Sequence, residues 1–489
     1  MASPNRSVSL WRRAATLGAA VALAVSAVSI GAVTPVAAAH GNKVTPAVGG
    51  FPKVSRAVQT AAAHFSCQDV PLDTGDGRCY TPQQIRAAYG IQSLLDRGTT
   101  GKGRTIVIID SYSNPYIRSD LRIFDETFGL PDPVFRQVAP DGLTPFDFNN
   151  PEHIGWSSEI SLDVQWAHAV APGAAITLVL AKSSLDTDIL SATKYAVDHN
   201  LGDVISQSFG VAESCVDPAL NRAQHRLFQE ATDKGISLFA STGDDGAAQY
   251  NCDGTDFVKQ ASSPANDPLV TAVGATNLQA DSNTGAYGSE RAWADQFSGA
   301  DFYTSCFPTD QFGCSGGGFS NTFDRPAFQD SVRRVVGNRR GLPDVAYNGG
   351  VDGGVLAHWG VGLQALFGVD PKDPHFFAFG GTSAGVPQWA GLTVLADQLA
   401  HHRLGSINDD LYRIASSPAR YRAAFHDVTT GNNAFTWCAT VATDGSACTA
   451  TASLSGYQTR RGWDAVTGLG TPKADVLVPM LAAGSPGGH

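Results

Sequence analysis

Thr105-Ile106-Val107-Ile108-Ile109-Asp110 is the stretch on which the fold turns: an unbroken apolar run closed by one carboxylate. A run without polar alternation is expected of a strand covered on both faces, as in a parallel sheet. Working outward, similar runs occur at Ala175–Leu180, Asp203–Ser208, Ser237–Ser241 and Leu269–Val273. Helical patterns lie between them, at Ser119–Phe128, Ser157–Val170, Thr187–His199 and Asp217–Lys234. Strands alternating with helices of this size predict an α/β fold: a doubly wound, mostly parallel sheet with helices on both faces. Such sheets carry their sites at the carboxyl ends of the strands. No internal repeat is evident. Residues 280–380 are loop-rich, and a helix is expected after Ser383, from Trp389 to Leu399.

The chain has 489 residues, 43% hydrophobic and 16% charged, with a formal net charge of -11. Such a chain buries a large core, which argues against wholesale disorder. The acidic balance speaks against a nucleic-acid partner. Residues 1–39 read as a signal peptide. Arg6, Arg12 and Arg13 precede an apolar run from Ala14 to Ala39, which ends in three alanines before His40. A membrane anchor is the competing reading, weakened by Gly18, Gly31 and Pro35 in the run. The adjacent arginines leave both general and twin-arginine export open. The segment holds three arginines and no acids, so its removal would leave a charge of -14. No later segment is apolar for long enough to span a bilayer, and a secreted, extracellular monomer is expected. Residues 40–78 are rich in Ala, Val, Pro and Gly and read as a linker or short pro-segment. Eight cysteines in an exported chain suggest disulfides, with neighbours pairing as Cys67–Cys79, Cys215–Cys252, Cys306–Cys314 and Cys438–Cys448. Zinc is the rival use, but no pair has CxxC spacing.

Three strings carry chemistry. The first is Gly380-Gly381-Thr382-Ser383-Ala384-Gly385-Val386-Pro387. A serine between a Gly-rich turn and an apolar helix exposes its hydroxyl where N–H groups favour a developing anion. An ordinary N-cap serine is the bland alternative. A nucleophilic serine needs a base, and no histidine followed by Gly-Thr occurs; His153 and His168 lack that context. The second string, Trp156-Ser157-Ser158-Glu159-Ile160-Ser161-Leu162-Asp163-Val164-Gln165-Trp166, places Glu159 and Asp163 four apart, on one helix face. Buried together, they raise one pKa and titrate as a unit, which suits a general base. A solvated acidic face is the alternative, countered by the apolar flanks. The third is Ala240-Ser241-Thr242-Gly243-Asp244-Asp245-Gly246, a strand end on a tight turn. A protonated Asp244 donates a hydrogen bond to an oxyanion; a polar turn is the alternative.

Together these strings resemble the sedolisin family, the serine-carboxyl peptidases, from about Tyr80 to Pro472. Tyr80-Thr81-Pro82 with Tyr89-Gly90-Ile91, Ile205-Ser206-Gln207-Ser208-Phe209-Gly210 and Ser315-Gly316-Gly317-Gly318-Phe319-Ser320 belong to the same pattern. The resemblance implies a subtilisin-like fold, endopeptidase activity on proteins or peptides and an acidic optimum. It implies Ser383 as nucleophile, Glu159 as general base, Asp163 orienting it and Asp244 serving the oxyanion. Ser206, Ser208 and Gly210, with Gly316, Gly317 and Gly318, would line the substrate cleft and pair with substrate backbone. Residues 79–489 would then form the peptidase domain. Sedolisins usually carry a long folded prodomain; residues 40–78 are too few to supply an independent core. Asp110 is expected near the carboxylate pair as a partner to it.

The resemblance also implies one structural calcium ion. Asp427 and Asp464 would bind through carboxylates, and Val428, Arg460 and Gly462 through carbonyls, a hard oxygen set that suits calcium. Arg460 and Arg461 stand where the family more often has small residues. An Asp turn without metal is the alternative. Three rival functions remain at this level. One is an ordinary subtilisin-like protease, which the missing histidine string disfavours. A catalytically silent binding protein is another. The third is a serine esterase: Gly381-Thr382-Ser383-Ala384-Gly385 matches GxSxG, with His401, His402 and His426 downstream.

Overall fold

The structure is a computed structural model that describes residues 42–46, 53–54, 56–59, 63–69, 78–294, 313–441 and 448–484. The expected signal peptide lies outside these residues. The chain divides into two compact units, Met1–His40 with Cys438–Thr451, and Gly41–Trp437 with Ala452–His489. Within the first, only strand residues 438–441 and 448–451 are described. Everything below concerns the second.

In chain order the second unit contains β1 (Thr45–Pro46), β2 (Thr105–Ser111), α1 (Ile117–Phe128), β3 (Phe135–Val138) and α2 (Pro151–Val170). Next come β4 (Ala175–Ala181), α3 (Asp186–Asp198), β5 (Val204–Gln207), β6 (Phe209–Ala212) and α4 (Pro218–Asp233). These are followed by β7 (Ser237–Ser241), β8 (Thr271–Ala280), β9 (Tyr287–Ala292), β10 (Gly318–Asp324), β11 (Val345–Asn348) and α5 (Val386–Ala400). The main sheet runs β9-β8-β7-β5-β2-β4-β3, with β11 also beside β8. Every pairing in it is parallel except β8 with β9. The doubly wound sheet expected from the sequence is therefore present.

β2 shows why an unbroken apolar run was needed. Ile106 and Ile108 sit in the apolar core with Leu162, Trp166 and Val394 of α2 and α5. Val107 and Ile109 point the other way, into a core with Ile189 of α3 and Leu227 and Phe228 of α4. Successive strand side chains face opposite ways, so both faces of the sheet are buried by helices.

Helix starts explain small shifts from the expected spans. α2 begins six residues earlier than Ser157, because Asn150 caps Glu152 N and Pro151 fits the first turn. Such a cap contributes about 1 kcal/mol. Asp217 caps α4 in the same way, accepting from Ala219 N and Leu220 N. The run at Asp203–Ser208 divides into β5 and β6. β6 turns away to pair antiparallel with β1 and with Ser262–Ser263. β3 and β11 carried no clear apolar pattern; β3 (FRQV) is an edge strand, which needs no second buried face.

Two disulfides match the expected neighbours, Cys67–Cys79 and Cys215–Cys252. Cys314 is also disulfide-bonded. Cys306, and the side chains of Cys438 and Cys448, lie outside the described residues. Parts of 40–78 are tied into the body: Lys53–Val54 pairs with Phe376–Phe377, and Arg56–Gln59 with Ala63–Phe65. Among the described residues, no helix is long and apolar enough to cross a membrane.

Candidate active site

Ser383 lies in a single 3-10 turn, Thr382–Ala384, just before α5. Gly381 has φ 100°, a conformation that favours glycine, and its backbone N–H reaches Gly349 O at 2.7 Å. That turn sets Ser383 at the end of the sheet where β5 and β7 finish. Its Oγ donates to Ser208 O at 3.2 Å.

α2 passes beside this turn and is buried almost along its whole length. Glu159 and Asp163 are fully buried, one turn apart. Asp163 Oδ1 accepts from Ser208 Oγ at 2.9 Å. The Ser383 hydroxyl stands close enough to Glu159 to favour its ionised form, although neither Glu159 oxygen has a well-aligned hydrogen bond at rest. Catalytic hydrogen bonds commonly tighten only when substrate binds. Asp110, at the end of β2, is fully buried as well, and neither of its oxygens has a hydrogen-bond partner.

Electrostatics couple these three carboxyls. Burial raises the Glu159 pKa well above the usual carboxylate range, and the charges of Asp163 and Asp110 push it further. Asp163 is pushed to about 8 by burial, against the hydrogen bond from Ser208. Burial and then Asp163 raise Asp110. The first proton leaves the cluster before any neighbouring charge exists; the others must leave against it. Burial thus opposes every charge in the cluster, and each charge gained opposes the next.

Asp244 approaches from the turn after β7. Its Oδ1 accepts from Thr382 N and Thr382 Oγ1, both at 2.8 Å, which ties it to the residue before Ser383. The residue is half-buried, yet Oδ2 is sealed from solvent and has no partner. Burial pushes its pKa to about 8. A neutral carboxyl with one oxygen unspent is a hydrogen-bond donor in waiting.

The predicted cleft residues have mixed placements. Gly210 lies on β6, opposite Thr45. The Ser208 side chain points inward to Asp163, so only its carbonyl is left to face the serine. The Ser206 hydroxyl is buried in β5 without a partner. Gly316 N donates to Gly243 O at 2.8 Å, and an added Cβ would lie 2.0 Å from Thr242 O. Gly318 opens β10 opposite Leu342, and Gly317 is packed against Ala465 O. Gly316 thus seats the Asp244 turn closely. Sequence reasoning missed the anchoring of Asp244 by Thr382, although Thr in the same string was its signal.

His153, His168 and His358 are engaged elsewhere. His168 contacts Pro131 O and Asp125, and His358 bridges Asp120 and Asp373 O. His153 accepts from Asp147 N.

The two loops assigned to calcium do meet. Asp427 accepts from Gly462 N at 3.0 Å and from Tyr421 Oη at 2.9 Å. Asp464 Oδ2 accepts from Arg460 N, and Oδ1 from Val466 N, Thr467 N and Thr467 Oγ1. Asp464 is buried and its pKa is pushed to about 6. Two carboxylates brought together are hard oxygen donors of the kind a hard cation takes. No group of three or more His, Cys, Asp or Glu suited to a metal occurs among the described residues, so carbonyls such as those of Val428, Arg460 and Gly462 would have to complete the set.

The raised carboxyls bear on stability. Asp163 and Asp244 lie at about 8, Asp125 at about 8, and Asp245 and Asp397 at about 7. Unfolded, such groups ionise near 4. Between those values the native state binds more protons than the unfolded one, so stability falls as pH rises from about 4 to about 8. We expect a higher melting temperature at pH 4.5 than at pH 8 in calorimetry; the reverse order would refute these assignments.

The fold and site define a class: a serine set at a helix N-terminus on a parallel α/β sheet, with buried carboxyls beside it and, among the described residues, no imidazole hydrogen-bonded to it. The subtilase family, Peptidase_S8, matches residues 149–419, more than half of the chain. The chain belongs to that family and, within it, to the sedolisins. It is 30% identical over 410 residues to kumamolisin of Bacillus sp. (strain MN-32), covering 82% of this chain and 63% of that protein. It is 27% identical over 441 residues to sedolisin of Pseudomonas sp. (strain 101), covering 88% and 66%. Tripeptidyl-peptidase 1 of Dictyostelium discoideum is 26% identical over 430 residues, covering 85% and 60%. The chain thus spans about two thirds or less of these relatives. Pseudomonas sedolisin, a serine-carboxyl proteinase complexed with two molecules of pseudo-iodotyrostatin, shares the fold with a TM-score of 0.66 at 24% identity. That match covers 83% of this chain and 99% of the other.

Proposed function

We propose that this protein is a secreted serine-carboxyl endopeptidase that cleaves peptide bonds in acid through an acyl-enzyme on Ser383. The observation that carries the reading is the gathering of Glu159, Asp163, Asp110 and Asp244 about the serine in the 3-10 turn before α5. Glu159 takes the Ser383 proton as Oγ attacks the carbonyl carbon. Asp163 and Asp110 surround the base in a buried site. Asp244 Oδ2 donates a hydrogen bond to the oxyanion, and Glu159 returns its proton to the leaving amine. Water then attacks the ester as Glu159 takes its proton, and that proton passes to Ser383 Oγ as the acid product leaves.

A protein-substrate digest at pH 4 tests the activity: cleavage within the chain supports it, and release of tripeptides alone would assign the exopeptidase mode instead. Asp244→Ala should lower kcat about 10²- to 10³-fold, the usual loss for one oxyanion donor. Asp244→Asn keeps an N–H donor that never titrates, so it should retain more activity and lose the alkaline limb of the pH profile. Unchanged kcat in Asp244→Ala would remove it from the site.

Asp427 and Asp464, with the carbonyls of Val428, Arg460 and Gly462, would hold one calcium ion that ties the two C-terminal loops together. Its role would be structural, through binding linked to folding. Chelation should lower the melting temperature by several degrees, and Asp464→Asn should make the melt insensitive to calcium.

A further inference from the structure

The proposed chemistry uses one face of α2. Glu159 and Asp163 lie on it, beside Ser383. Ser157, Ser161 and Gln165 recur every four residues and fall on the opposite face, about half a turn round the helix. All three are fully buried. Glu159 has no hydrogen-bond partner for either oxygen, so its helix alone sets where it stands.

The far face is gripped by polar groups from two other segments. Asn114, in the loop between β2 and α1, donates through Nδ2 to Ser161 Oγ at 2.8 Å and to Ser157 O at 3.2 Å. Trp359 Nε1 donates to Ser157 Oγ at 2.9 Å. Gln165 makes two bonds with the backbone of His358: Nε2 donates to the carbonyl at 2.7 Å, and Oε1 accepts from the N–H at 2.8 Å.

Asp120 of α1 joins these two segments. It is fully buried. Its Oδ2 accepts from Asn114 Nδ2 at 3.1 Å, and its Oδ1 accepts from Gly360 N at 3.1 Å. Oδ1 also faces His358 Nδ1 at 3.1 Å. The other ring nitrogen, Nε2, faces Asp373 O at 2.9 Å. A carbonyl oxygen only accepts, so that bond requires a hydrogen on Nε2. A further proton then lies between Nδ1 and the Asp120 carboxyl, whichever of them holds it. In either form the pair carries no net charge, so it adds none to an interior where burial already opposes the carboxylates.

We infer that Asn114, Asp120, His358 and Trp359 are positioning residues that clamp the far face of α2 and so fix the rotation and height at which Glu159 meets Ser383. The inference rests on the reading of Glu159 as the base. Apolar packing alone lets a helix slide or turn slightly, whereas hydrogen bonds are short-range and directional and hold it to one setting. A misplacement of about 1 Å at a reacting group costs about 10²-fold in rate.

A double-mutant cycle between His358 and Glu159 tests this, read as kcat and KM on a quenched-fluorescence peptide taken from a cleavage site in a protein digest at pH 4. His358→Leu should lower kcat about 10- to 100-fold and leave KM within about three-fold. In the Glu159→Gln background the same change should cost less than about three-fold, because no base remains to be aimed. His358→Asn, whose amide can donate where Nδ1 does, should keep kcat within about three-fold of wild type. Melts gauge the folded fraction of each variant. Should His358→Leu not fold, Asn114→Ala takes its place in the cycle, since it frees Ser157 and Ser161 but leaves Asp120 its His358 partner. Equal losses in the two backgrounds, a rise in KM without a fall in kcat, or a His358→Asn as slow as His358→Leu overturns the inference and leaves Glu159 as the base. A Glu159→Gln protein as active as wild type would sink the base, and the clamp with it.

Discussion

Replacing Ser383 with alanine is expected to abolish peptide hydrolysis, by at least about 10⁴-fold in kcat, while leaving the fold intact. Loss of the nucleophile removes covalent catalysis and leaves only oxyanion stabilisation and binding. The structural cost is small. Ser383 Oγ makes one described hydrogen bond, at 3.2 Å to Ser208 O, and such a bond contributes about 1 kcal/mol. A melt within a few degrees of wild type, together with loss of turnover, is the expected pair of results. Full activity in Ser383→Ala would place the chemistry elsewhere.

Glu159→Gln is expected to lower kcat by about 10²- to 10⁴-fold, the range for a general base. Shape is nearly conserved, so KM should move little. The same change should stabilise the protein at pH 8. Glu159 is fully buried, and its charged form is opposed by burial and by Asp163 and Asp110. The neutral amide carries no such penalty. A variant that is less active yet harder to melt is the signature of a strained functional group. Loss of activity together with destabilisation would instead mark Glu159 as a structural residue.

Much of this was legible in the sequence, for physical reasons. The TIVII run needed two apolar faces, and the structure supplies one from α2 and α5 and the other from α3 and α4. Glu159 and Asp163 could be paired because helix geometry stacks positions four apart. Asp244 was harder. Its choice over Asp245 rested on the strand end, and the structure supports it through two hydrogen bonds from Thr382. That contact joins residues 138 apart, and no local pattern encodes it. The β1 strand was invisible for the same reason: Asn42–Pro46 has no periodicity, and its order comes from β6 and the 184–186 turn. Ser208 entered the cleft through the resemblance; its hydroxyl bonds Asp163, a partner that strand alternation alone does not name.

The central claim is that a carboxyl group, and no imidazole, activates Ser383. Its most direct measurement is the rate at which a fluorophosphonate labels Ser383 between pH 3 and 8, with the site mapped by mass spectrometry. The account predicts labelling of the wild type already at pH 4 to 5 and its near-loss in Glu159→Gln. Labelling that begins only as an imidazole would deprotonate, near pH 6.5, and is unchanged in Glu159→Gln would contradict it.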